Sequence, residues 1–202
     1  MGAEYELKFR INPDTLHAVF TTFPARWQNI HMQTTYYDTP DGQLSARRWT
    51  LRSRLENDVS VCTLKTPGEN GARGEWETEC GSIEVAIPEL CKLSGTKELE
   101  SLCAEGLVTV CGARFTRKAG LFTLRDCTVE IALDEGVLLG GGKEVPLCEL
   151  EVELKEGSRE AADAFAAQLA DIYGLQTETK SKFARALALC KEGYYGMPGQ
   201  TV

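Results

Sequence analysis

Histidine is nearly missing from this chain: His17 and His31 are the two it has in 202 residues. A covalent hydrolase needs a serine or cysteine activated by a neighbouring base, and neither histidine belongs to such a constellation. Of the eight cysteines (Cys62, Cys80, Cys91, Cys103, Cys111, Cys127, Cys148 and Cys190), none forms a CxxC pair. Nor are the histidines spaced with them as a zinc site requires. With no signal segment in view, buried reduced thiols are expected rather than disulfides. No apolar run approaches the ~20 residues that span a bilayer. The N-terminus lacks the basic-then-apolar layout of a secretory signal, and Glu6 stands where a myristoylation site needs Ser or Thr. The expectation is a cytoplasmic protein with no membrane partner. Positive charge is also short, 22 Lys and Arg against 30 Asp and Glu, for a net charge of −8. That excludes a nucleic-acid binder relying on general basicity, though not a local basic pocket.

What is present is a soluble globular composition, 43% apolar and 26% charged. There is no linker, low-complexity tract or repeat array. Residues 1–192 therefore read as one domain, followed by a loose tail over 193–202.

Period-2 alternation dominates the pattern. Residues 4–11 alternate Glu4, Glu6, Lys8 and Arg10 with Tyr5, Leu7, Phe9 and Ile11. Asn12-Pro13 then opens a short helix, Asn12 as its N-cap. Residues 27–38 are extended, and Thr39-Pro40-Asp41-Gly42 is turn chemistry. Strands follow over 49–57, 59–66 and 74–80, the first carrying Arg52 and Arg54 on one face and the last Glu75, Glu77 and Glu79. A helix is expected over 88–104, interrupted near Ser94-Gly95. Strand returns over 107–118, with a turn at Ala119-Gly120. Glu130, Ala132 and Asp134 share a face of the next strand. The glycine run 140–142 has no helix after it, so it lacks the phosphate-loop context and reads as a hairpin. Glu149, Glu151, Glu153 and Lys155 share one face of the clearest strand, opposite Leu150, Val152 and Leu154. Ser158 caps a long helix that Gly174 ends, and a last short helix covers 181–193.

The recurrence of charged faces is informative. Ordinary wet sheet faces mix charge with Thr, Ser and Gln, whereas here Glu and Arg repeat at i, i+2 and i+4. Adjacent like charges repel. The row Glu149, Glu151, Glu153 costs stability unless a divalent metal, or Lys and Arg from facing strands, lies among them. The consistent geometry is a closed or nearly closed antiparallel barrel with charge inside and helices over its aliphatic outside, the inverse of an apolar-filled barrel. Arg and Lys bind phosphate oxygens, and carboxylate clusters hold hard cations such as Mg²⁺ or Mn²⁺. Together they fit a metal–polyphosphate complex.

These residues resemble a known family. Glu4 with ELKF at 6–9, YYDT at 36–39, LRSR at 51–54, TLK at 63–65, ALDEG at 132–136, ELEVELKEG at 149–157 and SKFAR at 181–185 are similar, in order, to the CYTH superfamily, the triphosphate tunnel metalloenzymes. YYDTPDGQL, RGEWE and CELEVELKEG resemble its bacterial inorganic triphosphatase branch. The resemblance implies an α+β fold: a closed eight-stranded antiparallel tunnel with covering helices. It implies metal-dependent hydrolysis of tripolyphosphate to pyrophosphate and phosphate, with Mg²⁺ or Mn²⁺. The implied metal ligands are Glu4, Glu6, Glu149, Glu151 and Glu153. Lys8, Arg52, Arg54, Lys65, Arg73, Arg117 and Lys182 would hold phosphate, Lys182 from a mobile element that closes over it. Glu4, Glu6, Lys8, Glu151 and Lys182 form the implied catalytic group. Glu75, Glu77, Glu130 and Asp134 support it. Arg114 and Lys118 compete with Arg117 for the tunnel position, and a homodimer is left open.

Plainer roles stand beside these. Trp27, Trp49 and Trp76 read as core or rim. Asp38 reads as the cap of the helix after it, Arg10 as a rim charge, and Arg47-Arg48 as a wet face. Two other functions share the tunnel: a class IV adenylate cyclase or other organic triphosphatase, and a polyphosphate-binding module without catalysis. The acidic cluster argues against the last, since an anion binder gains nothing from glutamates around its ligand.

Overall fold

The structure, a computed structural model, describes residues 5–23, 26–67 and 73–192. In chain order the elements are β1 (Tyr5–Arg10), α1 (Pro13–Thr22), β2 (Gln28–Asp38), α2 (Gln43–Ala46), β3 (Thr50–Glu56), β4 (Val59–Pro67), β5 (Arg73–Glu79), α3 (Ile83–Ser94), α4 (Glu98–Cys103), β6 (Val108–Thr123), β7 (Cys127–Gly140), β8 (Lys143–Gly157), α5 (Arg159–Tyr173), β9 (Gln176–Thr177) and α6 (Lys182–Glu192).

Local chemistry sets most of these bounds. Asn12 Oδ1 accepts the Thr15 N–H at 2.8 Å and starts α1, and Ser158 Oγ accepts the Ala161 N–H at 3.2 Å and starts α5. Asp38 caps α2 as expected: Oδ1 accepts the Leu44 N–H at 2.9 Å and Oδ2 the Ser45 N–H at 3.1 Å. The β7–β8 hairpin turns on Gly141 and Gly142, at φ 58° and 74°. Two successive left-handed residues suit the two-residue turn that matches strand twist.

Two expectations are corrected. The helix placed over 88–104 begins at Ile83, so Pro88 lies inside α3, while the expected interruption at Ser94-Gly95 separates α3 from α4. An interior proline removes one helical hydrogen bond. Burial of Ile83, Ala86, Ile87 and Leu90 on one face holds the helix regardless. The turn at Ala119-Gly120 does not form. Ala119 pairs with Ala132 and Gly120 with Ile131, and the ladder carries β6 on to Thr123.

All strands join one antiparallel sheet in the order β5-β4-β3-β2-β6-β7-β8-β1-β9. The eight expected strands are all there. The ninth, β9, has two residues, too few to leave a sequence pattern, and pairs with β1. Among the described residues no ladder joins β5 to β1 or β9, so hydrogen bonds do not close the sheet into a barrel.

The aliphatic faces turn outward under helices. Leu7, Phe9, Val129, Ile131, Leu133, Leu150 and Val152 pack with Leu16 and Val19 of α1 and Ala162, Ala166 and Leu169 of α5. Leu51, Cys62 and Leu64 pack with Leu44 of α2, Ile87 and Leu90 of α3 and Leu99 of α4. Trp27 borders the first cluster, Trp49 and Trp76 the second. A third cluster differs: Met32, Tyr36, Cys111, Ala113, Phe115, Leu138 and Leu147 meet Ala186 and Phe183 of α6 on the inner face. All eight cysteines are free thiols. No described helix is long and apolar enough to cross a membrane.

Candidate active site

A cavity of about 660 Å³ takes lining residues from each of β1 to β8 and from the start of α6. The sheet therefore curls until its two ends face one space.

Register sets the order of charges on one wall. Arg117, Asp134, Glu149 and Arg10 stand in one row across β6, β7, β8 and β1. The next row is Ala119, Ala132, Glu151 and Lys8, and the next Leu121, Glu130, Glu153 and Glu6. In that last row three carboxylates lie side by side. Lys8 Nζ is 3.0 Å from Glu6, and Lys155 Nζ is 2.7 Å from Glu153 and 3.5 Å from Glu130.

The facing wall, from β3 to β5, brings Arg52, Arg54 and Lys65 to the cavity. Arg52, Thr63 and Glu77 share one row, and Thr50, Lys65 and Glu75 the next. Lys65 is 2.7 Å from Glu75, and Arg52 is 3.5 Å from Glu75 and 3.4 Å from Glu77. Arg54 Nε donates to Glu56 at 2.6 Å. Burial and the neighbouring Arg52 charge push the Arg54 pKa down. Burial opposes the ionised form of Glu77, but Arg52 and the Thr63 hydroxyl outweigh it and lower the Glu77 pKa.

Beneath the acidic wall lies a buried knot. Asp134 and Glu149 are fully buried and Glu151 nearly so, and ligand oxygens from all three fall within 4.8 Å of one another. Lys182, the first residue of α6, places Nζ 2.8 Å from Asp134 and 2.7 Å from Glu151, and donates to Glu149. Arg117 binds both oxygens of Asp134 at 2.8 Å and also reaches Glu151. Arg185 binds Glu149. Burial alone would raise the Glu151 pKa, yet Lys182 and Arg117 hold it well below the carboxylate range. The same carboxylates overcome burial to raise the Lys182 pKa. Glu149 is pushed up by burial and, against the pull of Lys182, by the Glu151 charge.

Among the residues expected to act, Glu6, Lys8, Arg52, Arg54, Lys65, Glu75, Glu77, Arg117, Glu130, Glu151, Glu153 and Lys182 line the cavity. Asp134 and Glu149 lie behind the lining, in the knot. Glu4 falls outside the described residues, as does the Arg73 side chain at the head of β5. Arg114 is exposed and 3.3 Å from Glu144, and Lys118 sits over the Phe20 ring, so Arg117 is the one of the three in the cavity. Arg185, Glu178 and Glu56 carried no sequence expectation of their own. Arg185 belongs to the SKFAR segment, where its helical spacing from Lys182 was the available signal.

The donors fit a hard divalent cation, since both acidic groups offer carboxylate oxygens and no His or Cys. Within the knot, three cationic side chains already neutralise the three carboxylates.

A curled antiparallel sheet with helices outside and opposed charges inside defines a class of proteins with polar sheet interiors. This chain belongs to the CYTH domain family, whose model matches residues 2–187. It is 32% identical over 166 residues to the inorganic triphosphatase of Haemophilus influenzae, an alignment covering 78% of this chain and 47% of that protein. The chain thus spans about half the length of the curated relative it matches. Among solved structures, HpAC1 from Hippeastrum, for which a dominant triphosphatase activity is described, superposes with a TM-score of 0.66. Its identity is 19%, over 93% of this chain and 96% of that one. PH1819 from Pyrococcus horikoshii gives a TM-score of 0.62 at 23% identity, covering 92% and 98%. Likeness at these identities bears on the fold alone.

Proposed function

We propose that this chain is a metal-dependent inorganic triphosphatase that hydrolyses tripolyphosphate to pyrophosphate and phosphate. The observation that carries the reading is the cavity itself: cations on β3, β4, β6 and α6 face a row of cavity-lining carboxylates across less than 700 Å³. The Haemophilus relative supports it.

Arg52, Arg54, Lys65, Arg117, Lys8 and Lys182 bind phosphate oxygens, with Arg73 as a further candidate. Guanidinium forks and ammonium groups fixed by the sheet hold the polyanion in one orientation, which lowers the entropic part of the barrier. Glu6 and Glu153, adjacent in register, hold Mg²⁺ or Mn²⁺ with Glu4, and Glu151 borders them. Glu149 is the weakest of the five expected ligands, because a metal there displaces Lys182 or Arg185. A bound divalent cation supplies Lewis acidity at a phosphoryl oxygen and acidifies a water. Carboxylates of the acidic wall, Glu130 among them, orient water for in-line attack on the terminal phosphorus. A bond forms from the water oxygen to phosphorus, the anhydride bond breaks, pyrophosphate leaves with its electron pair, and the water proton passes to a carboxylate and then to solvent. Glu75 and Glu77 hold Lys65 and Arg52 in place; Asp134 does the same for Arg117. The edge strand β5 and, from the other end of the sheet, β1 contribute to one cavity, Glu75 and Glu77 from β5 and Glu6 and Lys8 from β1. This supports closure of the sheet into a tunnel around the substrate.

The test is phosphate release from tripolyphosphate, ATP and thiamine triphosphate, each with Mg²⁺, Mn²⁺ or EDTA. Fast release from tripolyphosphate that EDTA abolishes is expected. Cyclic AMP from ATP, with tripolyphosphate acting as inhibitor alone, would replace the reading with a cyclase.

A further inference from the structure

We infer that Glu178 is a positioning residue that sets Lys182 in the cavity by docking the turn ahead of α6. The functional part rests on the reading of Lys182 as a phosphate-binding group. Glu178 is outside the cavity lining, and its side chain is 2% exposed. Its backbone N–H donates to the Lys8 carbonyl at 2.8 Å, tying the turn to β1. Its Oε1 accepts the Lys180 N–H at 2.8 Å, and its Oε2 accepts from Arg10 Nε at 2.5 Å. Arg185 lies 3.6 Å from the same carboxylate and binds Glu149, which in turn binds Lys182. Charges therefore alternate from the rim inward: Arg10, Glu178, Arg185, Glu149, Lys182. The chain begins on β1, crosses β8 and ends on the first residue of α6.

Holding α6 on the sheet does not require this chain. Phe183, Ala186, Leu187 and Cys190 already pack against the inner apolar cluster. An apolar seam resists separation but tolerates small rotations and slides. Buried ion pairs are weak evidence for stability, and their best-attested use is to fix register. Glu178 acts where register matters to the cavity, four residues ahead of the ammonium that must meet phosphate.

The experiment compares wild type, Glu178→Gln, Lys182→Ala and the double variant. Glu178→Gln keeps the shape and the acceptor for Lys180. It is expected to raise the tripolyphosphate KM about tenfold, the size of one charge-assisted contact, and to lower Tm at neutral pH by about 2–4 °C. Coupling is the decisive readout. In the Lys182→Ala background, Glu178→Gln should add almost nothing to KM. Equal effects in both backgrounds, or none in the wild-type background, overturn the inference. A second readout needs no turnover: Cys111 is buried beneath α6, its Sγ 3.9 Å from the Phe183 carbonyl. Alkylation of Cys111, followed by peptide mass spectrometry, should quicken about tenfold in Glu178→Gln. An unchanged labelling rate overturns the docking role. A wild type inert towards tripolyphosphate instead overturns the triphosphatase reading, and the labelling comparison still decides whether Glu178 docks α6.

Discussion

Lys182 Nζ lies 2.8 Å from Asp134 Oδ2, an ion pair that carries the first residue of α6 onto the middle of β7. Asp134 has no exposed surface, and Lys182 shares with Arg117 the neutralisation of this buried carboxylate. Lys182→Ala removes one of the three cations of the knot. Breaking one partner out of a buried pair costs about 3–5 kcal/mol, and urea unfolding should report a loss of that order. The vacated carboxylates fit a divalent ion, so Mn²⁺ should raise the Tm of Lys182→Ala more than that of wild type. Equal responses would rule out cation binding by the Asp134, Glu149 and Glu151 group.

Glu6 and Glu153 are register partners on the cavity side, whereas Glu149 is fully buried between Lys182 and Arg185. Glu6→Gln and Glu153→Gln should therefore lower kcat about 100-fold or more, above the 10–100-fold that outer-shell changes cost, and shift the Mn²⁺ midpoint upward. Their Tm should stay near wild type. Glu149→Gln should show the opposite balance, with stability falling more than metal affinity. A metal midpoint shifted most by Glu149→Gln would return the ion to the buried knot.

Arg52→Ala should mainly weaken substrate capture. A hydrogen bond to a charged group is worth about 1.5–3 kcal/mol, which corresponds to a KM raised roughly 10–100-fold. Lys118→Ala is the control, since Lys118 covers the Phe20 ring of α1 at 4.5 Å on the outer face. Steady-state kinetics with both variants would sink the assignment of the cationic wall if Arg52→Ala left KM unchanged.

Much of the cavity was legible because strand parity is rigid. Once Glu149, Glu151 and Glu153 alternate with Leu150, Val152 and Leu154, their common face follows from the pleat alone. Parity does not say which of those carboxylates is open. That depends on α6, which covers Glu149 and leaves Glu153 in the cavity, and the covering comes from distant sequence. Compensation for the glutamate row was expected from metal or from facing strands; Arg117 of β6 supplies part of it, and α6 adds Lys182 and Arg185. Glu178 left no signal, because it follows a two-residue strand and belongs to no periodic face. The α3 start was hidden by Pro88, whose local preference yielded to burial of Ile83 and Ala86. At Ala119-Gly120, turn propensity yielded to a continuous ladder with β7.

Acid should loosen the α6 junction. Burial favours neutral Glu178, but Arg10 and the Lys180 N–H outweigh it and depress its pKa. A carboxylate with a folded pKa below its unfolded value, about 4.3, contributes stability that is complete above that value and lost as pH falls through the folded one. Wild type should lose Tm more steeply than Glu178→Gln once pH drops below about 4. Parallel Tm profiles for the two proteins would remove Glu178 from the acid response.

Gly140 offers a way to move α6 without touching a charge. It ends β7, and a Cβ there would stand 2.2 Å from the Ala186 carbonyl oxygen and 3.2 Å from Cys190 Sγ. Non-bonded carbon contacts settle at about 3.5–4.0 Å, and a backbone oxygen inside α6 cannot swing aside as a side-chain tip can. Gly140→Ala must therefore push the helix off the sheet by about an ångström. Overpacking of this kind costs about 1–3 kcal/mol. The displaced helix also carries Lys182 away from Asp134 and Glu151, so KM should rise along with the loss of Tm. Gly142→Ala separates the two effects. Gly142 has φ 74° with nothing within 4 Å of its Cβ position, so alanine there strains the hairpin at a cost of about 1–2 kcal/mol and leaves α6 in place. Matched Tm losses with KM raised in Gly140→Ala alone would tie substrate capture to the seating of α6. KM unchanged in both would mean that Lys182 reaches its phosphate independently of where the helix sits.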